Sequence, residues 1–251
     1  MMSEFLQIER QDAVQIIHLN RPEKKNAITR DMYHGIAEAL KQADSDDTIR
    51  VSVILGQPGA FSAGNDMQDF MHAALSQGSL GEEIIDFLHR LALTRKPLIS
   101  GVDGLAIGVG TTLNLHCDLT FATPRSVFHT PFVDLGLVPE AGSSLLGPKI
   151  MGYQRAFALL AMGEAMTAQQ ALEAGIVWRV VAEDELEEEV LKTAQKLAAR
   201  PPAALQLTRD LLRSAAEPLT DRIDREAQIF ADRLKSAETA QAVGAFLSRK
   251  K

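Results

Sequence analysis

The 251 residues carry 46% hydrophobic and 24% charged side chains, globular values that predict a packed core in one large domain or one domain plus an appendage. A net charge of −7, with no basic block larger than Arg249-Lys250-Lys251, argues against a nucleic-acid partner. It leaves room for an anionic small molecule, which needs only a few local cations. The one cysteine, Cys117, forbids an intrachain disulfide and fits a reducing compartment. MMSEFLQIER lacks the features of a signal peptide, and no run reaches the roughly 20 apolar residues of a membrane span. Ser-Arg-Lys-Lys at the end is not the Ser-Lys-Leu peroxisomal address, so a soluble cytoplasmic protein with no membrane partner is expected.

Two alternating runs, 5–10 and 13–19, flank Gln11-Asp12 and predict a β-hairpin. Thr29 is placed to cap a helix whose apolar face is Met32, Ile36, Ala39 and Leu40. The β-branched run 51–55 reads as a buried parallel strand, and 56–64 as a glycine- and proline-bearing loop. A Met-rich helix over 66–77, a turn over 78–81 and a helix with Ile84, Ile85, Leu88, Leu91 and Ala92 on one side follow. Strands at 98–102 and 119–122 enclose a short helix at 108–116. Strand alternating with helix implies right-handed crossovers and a parallel sheet. Beyond Glu140 the one strand predicted is 176–181. Helices are expected over 153–162, from the capping box at Thr167 to 174, over 184–199, and at 203–215, 220–234 and 236–247. The expected division is a core over 1–181 and a helical region over 182–251 whose apolar faces must pack on the core or on a neighbouring subunit.

The chemistry-bearing stretches are two glycine turns and one acid. HExxH, CxxC and EF-hand patterns are absent, so no metal is expected. Gly142-Ser-Ser-Leu-Leu-Gly147 has the wrong spacing for a nucleophile elbow. The six scattered histidines read as packing or surface. Gly108-Val-Gly110 follows a strand and opens a helix, but the third glycine of a dinucleotide fingerprint is missing. A nicotinamide turn, a tight turn and nothing more, and an anion-binding helix start remain open for it. The last draws on physics: a helix N-terminus leaves unpaired N–H donors and a positive dipole end. Phe61-Ser-Ala-Gly64-Asn-Asp66 offers a second such turn. Two N–H groups on one oxygen form an oxyanion hole, each donor worth roughly 3 kcal/mol of barrier. Glu140, between Pro139 and Ala141-Gly142, is the acid to pair with them; its alternative is an exposed loop carboxylate.

Asn20-Arg-Pro-Glu-Lys-Lys-Asn-Ala27, Phe61-Ser-Ala-Gly-Asn-Asp66, Lys96-Pro-Leu-Ile-Ser-Gly-Val-Asp-Gly104, Ile107-Gly-Val-Gly110, Cys117-Asp118 and Thr167-Ala-Gln-Gln-Ala-Leu-Glu-Ala-Gly-Ile-Val177 occur in this order. Together they resemble the crotonase superfamily, the enoyl-CoA hydratase/isomerase family, over nearly the whole chain. The resemblance implies an α/β crotonase-like spiral of ββα units with a C-terminal helical trimerisation region, and homotrimers or dimers of trimers. It implies an acyl-CoA thioester substrate, no nucleic acid or membrane partner, and no cofactor beyond coenzyme A in the substrate itself. It implies oxyanion donors at the backbone N–H groups of Asn65 and Val109. Ala63, Gly64, Asn65, Asp66, Met67 and Gly108 are expected at the substrate, with Lys24 or Lys25 at a CoA phosphate.

Hydratases of the family place two glutamates where this chain has Thr112 and Phe132. His129-Thr-Pro-Phe-Val-Asp-Leu-Gly136 and Pro139-Glu-Ala-Gly-Ser-Ser144 are instead similar to the peroxisomal-type Δ3,Δ2-enoyl-CoA isomerases, whose single catalytic glutamate matches Glu140. The expected reaction is therefore a 1,3-proton shift. The alternatives are enoyl-CoA hydration or another crotonase reaction on a CoA thioester, and a non-catalytic acyl-CoA-binding subunit.

Overall fold

The structure is a computed structural model that describes residues 3–76 and 81–248, so the predicted turn at 78–81 lies almost wholly outside the described residues. Two compact units divide the chain, Met1–Ala198 and Ala199–Lys251.

In the first unit β1 (Leu6–Gln11) and β2 (Val14–Leu19) form the predicted hairpin, with Leu6 opposite Leu19. Thr29 Oγ1 accepts from the Met32 N–H and opens α1 (Arg30–Ser45), whose predicted face is buried together with Tyr33. The chain continues through β3 (Val51–Leu55), β4 (Ala60–Ser62), α2 (Met67–Ser76) and α3 (Glu82–Leu93). After these come β5 (Leu98–Val102), β6 (Leu105–Ile107), α4 (Val109–Thr112), β7 (Leu119–Ala122), β8 (Val127–His129), α5 (Ser143–Met151) and α6 (Tyr153–Leu160). β9 (Met166–Thr167), α7 (Ala168–Ala174), β10 (Arg179–Val180) and α8 (Leu186–Ala198) complete the unit. On α3 the buried side is Phe87 and Leu91, whereas Ile85 and Ala92, expected inward, are exposed.

Two sheets organise these strands. One runs β1-β2-β3-β5-β7-β10, parallel from β2 onward; the other runs β4-β6-β8-β9. Each long strand β3, β5 and β7 is followed by a three-residue strand of the second sheet, so the chain climbs from turn to turn as a spiral of paired strands. β4 takes up residues 60–62 of the loop predicted at 56–64, and β6, β8 and β9 are strands the sequence did not announce. The predicted strand 176–181 is reduced to two residues.

Alternation along the long strands sends Ile17 and Ile54 to one core and Ile16 and Val53 to another. α8 covers the second core through Leu186, Val190 and Ala194. The first unit therefore extends to Ala198, beyond the boundary at residue 181 read from the sequence. The capping box at Thr167 is formed, with Gln170 as its reciprocal partner.

The second unit consists of α9 (Pro202–Arg213), α10 (Leu219–Leu234) and α11 (Ala237–Ser248). Arg222 ties α10 back to α9 by donating to the Leu211 carbonyl at 2.9 Å and to Ser214 Oγ at 2.8 Å. Leu212, Ile223, Phe230 and Leu234 are exposed on these helices.

Candidate active site

The short second sheet brings the two glycine turns side by side. β4 lies parallel to β6, with Ser62 opposite Ala106, so the residues leaving both strands emerge at the same end. Gly64 has φ +89°, and a Cβ there would sit 2.8 Å from the Ile107 carbonyl oxygen. Only glycine accommodates both the left-handed backbone and that approach.

Peptide planarity then aims the two amides. The Gly64 carbonyl accepts from the Ile28 N–H at 2.7 Å. In a trans peptide the N–H opposes the C=O, so the Asn65 N–H points away from Ile28. The Gly108 carbonyl accepts from Thr111 and Thr112 at 2.9 and 3.0 Å, as the first carbonyl of α4. The Val109 N–H accordingly points out of the helix start. Neither N–H has an acceptor among the described residues. Val109 itself is 2% exposed; its side chain packs in the core while its amide faces outward from the turn.

Ala63, Gly64, Asn65, Met67 and Gly108, all predicted at the substrate, line one cavity of about 120 Å³. Phe70, Ile107, Pro131, Phe132, Leu135 and Leu137 make the rest of its wall apolar. Val109 and Glu140 are not among the lining residues, and neither is Asp66. The Asp66 carboxylate is turned into the protein, taking a 2.6 Å bond from Arg21 Nη1 and capping α2 through the Gln68 and Asp69 N–H groups. Burial alone would push this acid up; Arg21 and the two amides bring it below the usual carboxylate range. Lys24 is exposed on a short 3₁₀ turn outside the cavity lining, next to Lys25, whose carbonyl accepts from the Ala63 N–H.

Glu140 is not an exposed loop acid. Thr112 Oγ1, at the end of α4, donates to Glu140 Oε1. The Glu140 carbonyl accepts from the Ser143 N–H and hydroxyl at 2.9 and 2.6 Å. Ala141 and Gly142 are both left-handed, with φ +54° and +63°, and His116 Nε2 bonds the Ala141 carbonyl at 2.7 Å. That reversal holds the acid against α4. Burial raises the Glu140 carboxyl to about 6, opposed by the Thr112 bond, which pulls it down.

Two contributors were not singled out from the sequence. Tyr33, on the buried face of α1, donates its hydroxyl to Asn65 Oδ1. Burial first and the nearby Glu140 charge second push its phenol well above the ordinary value. The Asn65 turn, Tyr33, Thr112 and Glu140 are thus neighbours. His116, read as packing, turns out to support the Glu140 loop. Where hydratases carry glutamates, Thr112 holds Glu140 and Phe132 lies buried on the cavity wall.

Residues 9–251 match the family described as Enoyl-CoA hydratase/isomerase. The chain is 35% identical over 255 residues to human Enoyl-CoA delta isomerase 2, covering 98% of this chain and 64% of that protein. It is 34% identical to 1,2-epoxyphenylacetyl-CoA isomerase of Escherichia coli K12, covering 99% and 97% of the two chains. A solved structure assigned as an enoyl-CoA hydratase/carnithine racemase, from Magnetospirillum magneticum AMB-1, superposes with a TM-score of 0.94. It is 41% identical over 99% of this chain and 97% of its own. With the spiral of paired strands, the two free amides and these matches in hand, the chain belongs to the enoyl-CoA hydratase/isomerase family of enzymes.

Proposed function

We propose that this enzyme is a Δ3,Δ2-enoyl-CoA isomerase. The observation that carries the reading is a single half-buried carboxylate, Glu140, braced by Thr112 beside two outward-facing amides, with no acid at Phe132. Near neutral pH an acid with a pKa of about 6 is mostly ionised yet basic enough to accept a carbon-bound proton. The thioester oxygen of a 3-enoyl-CoA would take the N–H groups of Asn65 and Val109. Glu140 removes a C2 proton, and the electron pair moves onto that oxygen to give a dienolate. Glu140 then returns the proton to C4, C2=C3 forms, and the oxygen recovers its carbonyl bond. Proton and electrons balance within the substrate, so no group beyond coenzyme A is called for. Hydration would need a second group to activate water, a task threonine and phenylalanine do not take on.

The test is an assay of purified protein with a 3-enoyl-CoA and with a 2-enoyl-CoA. Rapid conjugation that is lost in Glu140→Gln with CoA-thioester binding retained supports the isomerase. Faster hydration than isomerisation would move the assignment to hydration, and binding without turnover of either substrate to a non-catalytic subunit. We propose further that the exposed apolar faces at Ile223, Phe230 and Leu234 are covered in a homotrimer; sedimentation at the monomer mass would refute this.

A further inference from the structure

We infer that Tyr33 is a positioning residue for the first of the two amides, acting through the Asn65 side chain. The effect on rate rests on the isomerase reading above; the effect on binding an enolate does not.

The Asn65 amide belongs to a turn that is packed at Gly64 on the Ile107 carbonyl but leads directly into exposed residues. The helix that follows begins at Met67, which is 54% exposed. Backbone bonds join this turn to the segment before α1, Ile28 to Gly64 and Asp66 at 2.7 and 3.0 Å and Ala63 to the Lys25 carbonyl at 2.9 Å. The Asn65 side chain supplies a further restraint. Tyr33 is 1% exposed, and its ring meets Phe87 at 5.0 Å between centroids with the planes tilted by 57°. Ring packing of this kind leaves the hydroxyl one location, and a buried phenol must find a partner there. That partner is Asn65 Oδ1, 32 residues along the chain. The bond fixes the Asn65 side chain, and with it the tilt of the peptide whose N–H points away from Ile28. Burial and the Glu140 charge keep the phenol protonated, so it remains a donor across the working pH range. Asn65 thereby connects the core of α1 to the cavity lining.

The experiment uses Tyr33→Phe, which keeps the ring and removes the hydroxyl. The probe is a 3-ketoacyl-CoA, whose enolate has its own ultraviolet band, so that titration of the bound ligand reads how well the site holds an oxyanion without turnover. The wild-type protein is expected to raise the enolate fraction above that of free ligand. Tyr33→Phe should move the bound ligand's apparent pKa up by about half a unit to one unit, as loss of one hydrogen bond predicts. For 3-enoyl-CoA, kcat should fall about five- to tenfold with KM within about twofold. In an Asn65→Ala background the same change should cost less than about twofold, because the two residues act as one unit.

An unchanged enolate titration in Tyr33→Phe overturns the inference. So does an equal loss in the Asn65→Ala background, which would place the tyrosine's effect elsewhere. Should Tyr33→Phe fail to fold, Asn65→Ala alone decides: a full wild-type enolate fraction overturns the inference, and a reduced one supports it. A wild-type protein that stabilises the enolate but does not isomerise 3-enoyl-CoA sinks the isomerase reading and leaves the Tyr33 test standing.

Discussion

The two turns that flank the cavity are both close-packed at a glycine but differ in how deeply they are buried. The turn at Gly108 opens a helix in which Val109, Gly110, Thr111 and Thr112 are all buried, and a Cβ on Gly110 would lie 2.7 Å from the Ser62 carbonyl oxygen. Backbone packing and the Thr111 hydroxyl, which donates to the Ala106 carbonyl, hold it. The turn at Gly64 is packed on the Ile107 carbonyl but leads into exposed residues, and two side-chain tethers reach it: Arg21 on Asp66, and Tyr33 on Asn65. Packed backbone tolerates almost no substitution, whereas a side-chain tether can be loosened one bond at a time. The chain thus pairs one amide at the start of a fully buried helical turn with one beside exposed residues.

The acid held by Thr112 gives the largest expected effect. Glu140→Gln should lower kcat by about three orders of magnitude while leaving both turns in place, as removal of a general base does. Wild-type kcat/KM should rise with pH through about 6 as Glu140 ionises, then level off. The stability consequence has the opposite sense. A carboxyl whose folded pKa is raised from 4.5 to about 6 stabilises the fold fully below the unfolded value, and that contribution is lost as pH rises through about 6. Glu140→Gln should therefore raise the melting temperature at pH 8 relative to wild type, by about 1–2 kcal/mol of stability, with little change at pH 4.

Asp66→Ala tests the tethered turn. Removing the carboxylate leaves Arg21, with a side chain 12% exposed, without its 2.6 Å partner and uncaps α2. The expected loss is about 3 kcal/mol by denaturant unfolding; no loss would mean that this ion pair does not hold the turn. Gly110→Ala tests the buried turn, with an expected cost of about 2 kcal/mol and a reduced enolate fraction in the same protein. A neutral Gly110→Ala would erase the contrast between the two turns. Thr112→Val should have the smallest effect: loss of the donated hydrogen bond moves the acid limb of the pH–rate profile up by about one unit.

Much of this arrangement was legible in the chain because it depends on local signals. Alternation gave the hairpin, side-chain chemistry gave the caps at Thr29 and Thr167, and glycine spacing gave both turns. The second sheet escaped because strands of three residues, such as Ala60–Ser62 and Val127–His129, are too short to show a period. Their pairing is decided by the longer strands that precede them. Asp66 was expected at the substrate from its place in the motif, but its direction depends on Arg21, 45 residues away. Tyr33 was hidden for a related reason. A tyrosine beside Met32 and Ile36 reads as core, and its ring is core; only the unmet need of a buried hydroxyl pointed toward a distant acceptor.

Val109 and Thr112 lie three residues apart, so the outward amide and the hydroxyl that grips Glu140 are spaced by a single helical turn of about 5 Å. In the proposed isomerisation the oxygen site and the base would share one short rigid ruler. A substrate seated on it would meet its base on one face of the molecule only, and a proton carried by that base would be lifted from and set down on the same side. Deuterium placed on one prochiral position of C2 would reveal that handedness in the product.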